Sequence, residues 1–153
     1  MTGWLFLHLT GVVLSIGNFI VTAFWKIRAD SQKSPIVIHH AVKNVMIADY
    51  VFTLPSTILI LVSGLVMAMK ANLPMSGFNW LTLSLILFSI TGVFWIFLLI
   101  PLQRKMIRIS AQLIENDQVG TEYKRLSFLW AIFGLIATIL PIVIMFVMIS
   151  KPW

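Results

Sequence analysis

The chain contains no cysteine, which removes disulfides, thiolate metal sites, cysteine nucleophiles and protein-ligated iron–sulfur clusters together. Charge is the next scarcity. Only 10% of the 153 residues are charged, five acidic against eleven basic, and no pair of carboxylates sits within an apolar stretch. A glycine-rich phosphate loop and a nucleophile–base arrangement are missing too, so hydrolase and kinase chemistry has no residues to run on. What fills the chain is hydrocarbon: 59% of residues are hydrophobic and the mean hydropathy is +0.99, far above a soluble domain of this length. The composition is that of a membrane protein. A net charge of +6 would point to nucleic acid in a soluble protein, but here the basic residues flank apolar spans, where they set topology. No nucleic-acid reading survives. The first apolar segment has no basic run before it and no small-residue cleavage site after it, so it reads as a retained helix, with the mature chain starting near Met1.

Four apolar stretches, near residues 3–25, 49–69, 80–102 and 126–150, are long enough to cross a hydrocarbon core, which takes roughly 20 helical residues. They are continuously apolar rather than alternating, which argues for helices and against barrel strands. The prediction is an all-α, polytopic membrane protein: a single four-transmembrane-helix bundle over residues 1–153. Pro35 suits a helix start, and a short amphipathic helix is expected to lead into the second span. In "QRKMIRISAQLIENDQ" the apolar residues Met106, Ile109, Leu113 and Ile114 recur at helical spacing and predict that the third helix continues past the membrane. Lys26, Arg28, Lys33 and Lys43 lie between the first two spans, and Arg104, Lys105, Arg108, Lys124 and Arg125 between the last two; the opposite side has Lys70 and Lys151. This bias predicts a bacterial inner-membrane protein with cytoplasmic basic loops and both termini outside, on the periplasmic side. Trp4, Trp80 and Trp153 then fall at the outer interface, and Trp25, Tyr50 and Tyr123 at the inner one.

Polar residues within the spans follow helical steps. His8, Gly11, Ser15, Asn18 and Thr22 share one side of the first helix; Asp49, Thr53, Ser56, Ser63, Gly64 and Met67 recur on the second; Ser127, Gly134, Thr138, Pro141, Met145 and Met148 recur on the fourth. Each stripe is expected to face the other helices, where small residues admit close packing and polar ones find partners. Pro55 removes a backbone donor and predicts a kink. His8 lies roughly 7 Å below the outer end of its helix at ~1.5 Å per residue, and Gly64, Ser84 and Met145 count to a similar depth. Asp49 falls near the other side, within the expected reach of Lys26, Arg28, Lys43 or Arg104. A salt bridge capping the second span is the simple reading; a proton path beginning with Asp49, Thr53 and Asn18 is the functional one.

The segments "LHLTG", "FWKIRAD", "IADYVFTLP" and "PIVIMFVMISKP" together resemble the bacterial integral membrane family known as domain of unknown function 2269, across essentially the whole chain. That resemblance implies a four-helix membrane protein and no particular reaction. More distantly, and in the first helix alone, the "LH" followed by a small residue is similar to HemJ-type protoporphyrinogen oxidases and CopD-type copper-resistance membrane proteins. The HemJ likeness implies a haem ligand at His8. A bis-histidine pair cannot be built in one subunit at that depth, because His8 is the one histidine within a span. A second axial ligand would come from methionine, water or another subunit, with Met145 first by depth and face and Met67 and Met148 behind it.

Two functional readings follow. The first is a haem b protein of electron transfer or porphyrin-linked redox chemistry, with His8 as the iron ligand. The second is a non-enzymatic bundle, transporter-like or an accessory or assembly subunit, in which the polar stripe of Ser15, Asn18, Asp49 and Thr53 serves packing. Its partners would be the lipid bilayer and a homo-oligomer or membrane redox protein. Eight methionines are ordinary packing in such a chain. His39 and His40 are neighbours pointing about 100° apart on a helix, so they read as a solvated or interfacial pair and not as metal ligands. Lys26, Arg28 and Asp30 read as an interfacial anchor, with binding of an anionic lipid headgroup or a haem propionate as the functional alternative. The charge bias has a direct check: alkaline phosphatase fused after residue 153 is expected to be active and green fluorescent protein there dark, and the reverse pattern refutes the orientation.

Overall fold

The computed structural model describes residues 1–116 and 119–151; Trp153, assigned to the outer interface above, lies outside them. Helix α1 spans Thr2–Ser31. The second span is one continuous rod: α2 (Pro35–Ala48), a π-helical turn (Asp49–Thr53) and α3 (Leu54–Lys70). The third repeats the plan with α4 (Trp80–Phe94), a π-helical turn (Trp95–Leu99) and α5 (Ile100–Asn116). Helix α6 (Thr121–Ser150) completes the set. Four helices long and apolar enough to cross a membrane are therefore present among the described residues, and the expected helical lead-in to the second span and continuation of the third are helices α2 and α5. The rods exceed the predicted spans because their polar ends keep helical hydrogen bonding beyond the apolar stretch.

Both π turns have the same local cause. Each ends one residue short of a Leu–Pro or Ile–Pro step, at Pro55 and Pro101. Proline lacks the N–H that its turn requires, and its ring crowds the carbonyl four residues back; a widened turn accommodates both defects. Pro141 stands inside α6 without a π turn. Helix α4 begins differently, on a capping box in which Asn79 Oδ1 accepts from the Leu81 and Thr82 amides at 2.9 and 3.0 Å while Thr82 Oγ1 bonds the Asn79 amide.

The helices do not form a closed square along their whole length. The main apolar core gathers Ile38, Val42 and Val45 of α2, Trp95, Leu99 and Met106 of the third rod, and Tyr123, Leu126 and Trp130 of α6. That places it in the half that holds the α1–α2 and α5–α6 connections, the basic end. Toward the end that holds the termini, α3 packs on α1, and α4 packs on α6 and not on α1 or α3. Cation–π contacts secure each pair there: Lys70 Nζ lies 5.8 Å from the Trp4 ring and Lys151 Nζ lies 5.3 Å from the Trp80 ring.

The inward stripe of α1 contains His8, Gly11, Ser15 and Thr22 as buried residues. On α6 the buried line is Tyr123, Leu126, Trp130, Ala137, Ile144 and Val147, rotated from the small and polar line expected there. Apolar bulk filling the core decided that face, and lipid-facing or half-buried positions suffice for Gly134 and Thr138, whose hydroxyl is satisfied by the Gly134 carbonyl of its own helix. Gly11 shows the closest approach: a Cβ there would lie 2.8 Å from Ile60 Cγ1 and 3.0 Å from the Ser56 carbonyl oxygen. Gly134 has nothing within 4 Å of the same position. Gly11→Ala is therefore expected to destabilise the protein by about 1–3 kcal/mol through overpacking, and Gly134→Ala to leave it unchanged or slightly stabilised; thermal unfolding of both variants in detergent reads the contrast.

Candidate functional site

Three polar clusters join the helices, one in the terminal half and two toward the basic end. The first is centred on His8, 8% exposed. Its Nδ1 lies 3.0 Å from the Ile60 carbonyl oxygen and 3.2 Å from Ser63 Oγ. A carbonyl only accepts, so Nδ1 carries the proton and donates. The Ser63 hydroxyl is directed to the Leu59 carbonyl at 2.5 Å, which leaves its lone pairs toward the ring. The imidazole edge rests on Gly64, where a Cβ would meet His8 Cε1 at 3.1 Å; a side chain there would push the ring away. Nε2 makes no hydrogen bond among the described residues. Of the methionines considered as its partners, Met67 is half-buried on the Ser63–Gly64 side of α3, Met148 is half-buried on α6, and Met145 on α6 is 40% exposed.

The second cluster is centred on Asp49, at the start of the first π turn. Asn18 Nδ2 and Thr53 Oγ1 donate to Oδ1 at 3.1 Å each, and Gln103 Nε2 donates to Oδ2 at 2.8 Å. Asn18 also donates to Thr53 Oγ1 at 3.0 Å. Residues of α1, the second rod and α5 thus meet on one carboxylate. The Trp95 indole N–H is adjacent to that carboxylate outside hydrogen-bonding geometry. The stretch of α1 from Trp4 to Asn18 covers about 21 Å at ~1.5 Å per residue, which is within a hydrocarbon layer of ~30 Å. The expected salt bridge from Lys26, Arg28, Lys43 or Arg104 is not formed among the described residues: Lys26 is engaged elsewhere, and Arg104 donates to the Tyr50 hydroxyl at 3.1 Å. Nor does Asp49 cap a helix start, since the rod begins at Pro35. Ser15 is buried on the same side of α1, one turn nearer His8.

Lys26 and Asp30 form the third. Lys26 is 2% exposed, bonded to Asp30 at 2.5 Å and to Ser127, with its ammonium 5.5 Å from the Tyr123 ring and 5.2 Å from the Trp130 ring. Asp30 also accepts from Tyr123 Oη at 2.8 Å and Ser127 Oγ at 2.6 Å. What reads in sequence as an interfacial anchor is an ion pair of a buried lysine with an aspartate that is 26% exposed, and it clamps α1 to α6. Arg28 instead lines a groove between the end of α1 and α2 together with Trp25, Gln32, His40 and Asn44. Of the pair read as solvated or interfacial, His39 is half-buried and bonds Ser110 Oγ at 2.9 Å across to α5, while His40 is exposed. Among the described residues no group of three or more His, Cys, Asp or Glu is placed to hold a metal ion.

Asn18, Asp49 and Thr53, expected on inward faces, come together in the structure, and Gln103 joins them unforeseen. The signal was present: the helical stripe of Leu113, Ile109 and Met106 continued back one turn lands on Gln103. Removing one partner of a buried pair strands the other charge. Lys26→Met is expected to lower stability by about 3 kcal/mol and Asp30→Asn by a similar amount, with the double variant recovering part of the loss; a double-mutant cycle by thermal unfolding measures the coupling.

The comparisons with known proteins agree with the membrane architecture and add no chemistry. No curated protein and no solved structure matches the chain, and nothing found bears on a HemJ-type or CopD-type likeness. The model of one family, described as "Predicted integral membrane protein (DUF2269)", matches residues 4–152, which takes in all four helical rods. The chain belongs to the DUF2269 family of integral membrane proteins.

Proposed function

We propose that this integral membrane protein holds one haem b in the half of the bundle nearest its termini, where His8 Nε2 would bind the iron, and serves electron transfer or porphyrin-linked oxidation. The observation that supports this reading is the state of the imidazole. Nδ1–H is committed to the Ile60 carbonyl at 3.0 Å, so the lone pair is on Nε2, which has no hydrogen-bond partner among the described residues. Metal-ligating histidines characteristically donate their other ring N–H to a carbonyl or carboxylate, which fixes tautomer and ring plane. Ile60, Ser63 and Gly64 perform that task for His8: one orients the ring, the second braces Nδ1, and the third leaves the ring its place against α3. Imidazole nitrogen and methionine sulfur suit haem iron, and Met67, Met148 and Met145 are the sulfurs to test as the second ligand. When bound, haem would supply one-electron exchange between ferric and ferrous iron. By the positive-inside rule the basic end faces the cytoplasm of a bacterial inner membrane and His8 lies in the outer half.

A second reading, a non-enzymatic accessory or assembly subunit, has its own supporting observation. Helices α3 and α4 do not pack on one another, and at most 22% of the residues in each apolar window are buried within the chain. Their free apolar faces fit lipid or further copies of the chain.

The test is a reduced-minus-oxidised visible spectrum of protein purified from a haem-replete host, with pyridine haemochrome quantitation and sedimentation of the same sample. The haem reading expects about one haem per chain, its loss in His8→Ala, and reduced occupancy in Gly64→Leu, whose side chain displaces the ring. A colourless wild type that added haem does not restore overturns it. Oligomers in that colourless sample, disrupted by substitutions at Ile86 or Ile90 on the exposed side of α4, would establish the second reading.

A further inference from the structure

Asp49 is a buried acid surrounded by neutral groups. Asn18, Thr53 and Gln103 all donate to it, and none carries charge. The charged and titratable groups on the packed elements are directed elsewhere: Lys26 and Asp30 of α1 pair with each other and with Tyr123 of α6, His39 of α2 bonds Ser110, Arg104 of α5 bonds Tyr50, and Lys105 pairs with Glu122. Lys43 and Arg108 are exposed. A second imbalance adjoins the first. Gln103 is 2% exposed, and its Oε1 has no hydrogen-bond partner among the described residues, although the Nε2 on the same carbon bonds Asp49. A buried acceptor without a donor and a buried carboxylate without a cation are each unfavourable, and turning the Gln103 amide over brings that acceptor to the carboxylate, where one positive charge relieves both.

We propose that Asp49, Thr53, Asn18 and Gln103 form a binding site for a monovalent cation, sodium or a proton. The donor set is all hard oxygen: a carboxylate, a hydroxyl, and two amide oxygens that turn inward when the amides rotate by half a turn. Rotation of Gln103 exchanges an N–H that suits the free carboxylate for a carbonyl that suits a bound cation or a protonated acid. One carboxylate balances one unit of charge, which matches a monovalent ion. The site also sits where the helices are least regular. Asp49 and Thr53 bracket the first π turn and Trp95 opens the second, and π turns recur at functional positions because their backbone groups are less committed. An ionisable residue at this depth ordinarily marks an ion or proton pathway. The site is independent of any ligand at His8.

The test is the melting temperature of the full-length protein in detergent, in sodium chloride and in choline chloride at equal ionic strength, from pH 5 to pH 9. Wild type is expected to melt about 5 °C higher in saturating sodium, with more sodium needed at lower pH because the proton competes for Asp49. Asp49→Asn is expected to abolish the sodium response, and Gln103→Leu to weaken it at least tenfold in half-saturating concentration. A pH response without a sodium response, lost in Asp49→Asn, assigns the site to the proton alone. Direct binding of radioactive sodium to wild type serves if the variants fail to fold. A wild type indifferent to both sodium and pH, or an Asp49→Asn variant that responds as wild type does, overturns the proposal.

Discussion

Hydrocarbon offers no hydrogen bonds, so every polar side chain placed in these spans must find its partner within the protein. This requirement organises the bundle. It draws α1 against α3 at His8, Ile60 and Ser63, draws α1, the second rod and α5 together at Asp49, and draws α1 to α6 at Lys26 and Asp30. Helix α1 takes part in all three clusters, which makes it the element against which the others are positioned. Helices α3 and α4, which share no polar cluster, do not meet, and α4 instead packs on α6 through apolar side chains. In a bilayer that is a natural outcome, since lipid chains satisfy apolar faces as well as another helix does.

The clusters differ in how their charge is balanced. Lys26 and Asp30 neutralise each other and are enclosed by Ser127, Tyr123 and Trp130, so that cluster is complete as it stands. Among the described residues Asp49 has donors without a counter-charge, and His8 has one nitrogen engaged and one without a partner. These two imbalances are what the proposals rest on. The two prolines contribute by geometry: Pro55 and Pro101 each impose a widened turn, and the two turns lie at the level of Asp49, since Trp95 and Gln103 both come to it.

Much of this was legible from residue spacing. Steps of three and four placed His8, Gly11, Ser15 and Thr22 on the buried side of α1, and equal depth placed Gly64 beside His8. Charge counting placed the basic residues at one end. Three features escaped. Gln103 stands beside Arg104 and Lys105 at the start of the expected helical continuation, where a polar residue reads as part of its solvated side, although its helical register belongs to the core. The pairing of Lys26 was hidden because an i,i+4 ion pair at a helix end looks the same whether exposed or buried, and only the arrival of Ser127 and Tyr123 from α6 encloses it. On α6 the small and polar residues suggested one face, but bulky Trp130, Leu126 and Ile144 turn a neighbouring face inward. Volume, which pattern reading does not weigh, fixed the rotation.

The functional account depends most directly on which nitrogen of His8 carries the proton. Nitrogen-15 NMR of the cofactor-free protein labelled at histidine reads this from the two ring shifts, with His8→Gln assigning the signals. The account predicts a neutral imidazole protonated at Nδ1, with Nε2 showing the shift of a bare, lone-pair nitrogen. A His8 protonated at Nε2 instead, with Nδ1 bare, would contradict it, because the Ile60 carbonyl would then lose the imidazole donor and the nitrogen offered to iron would already be occupied.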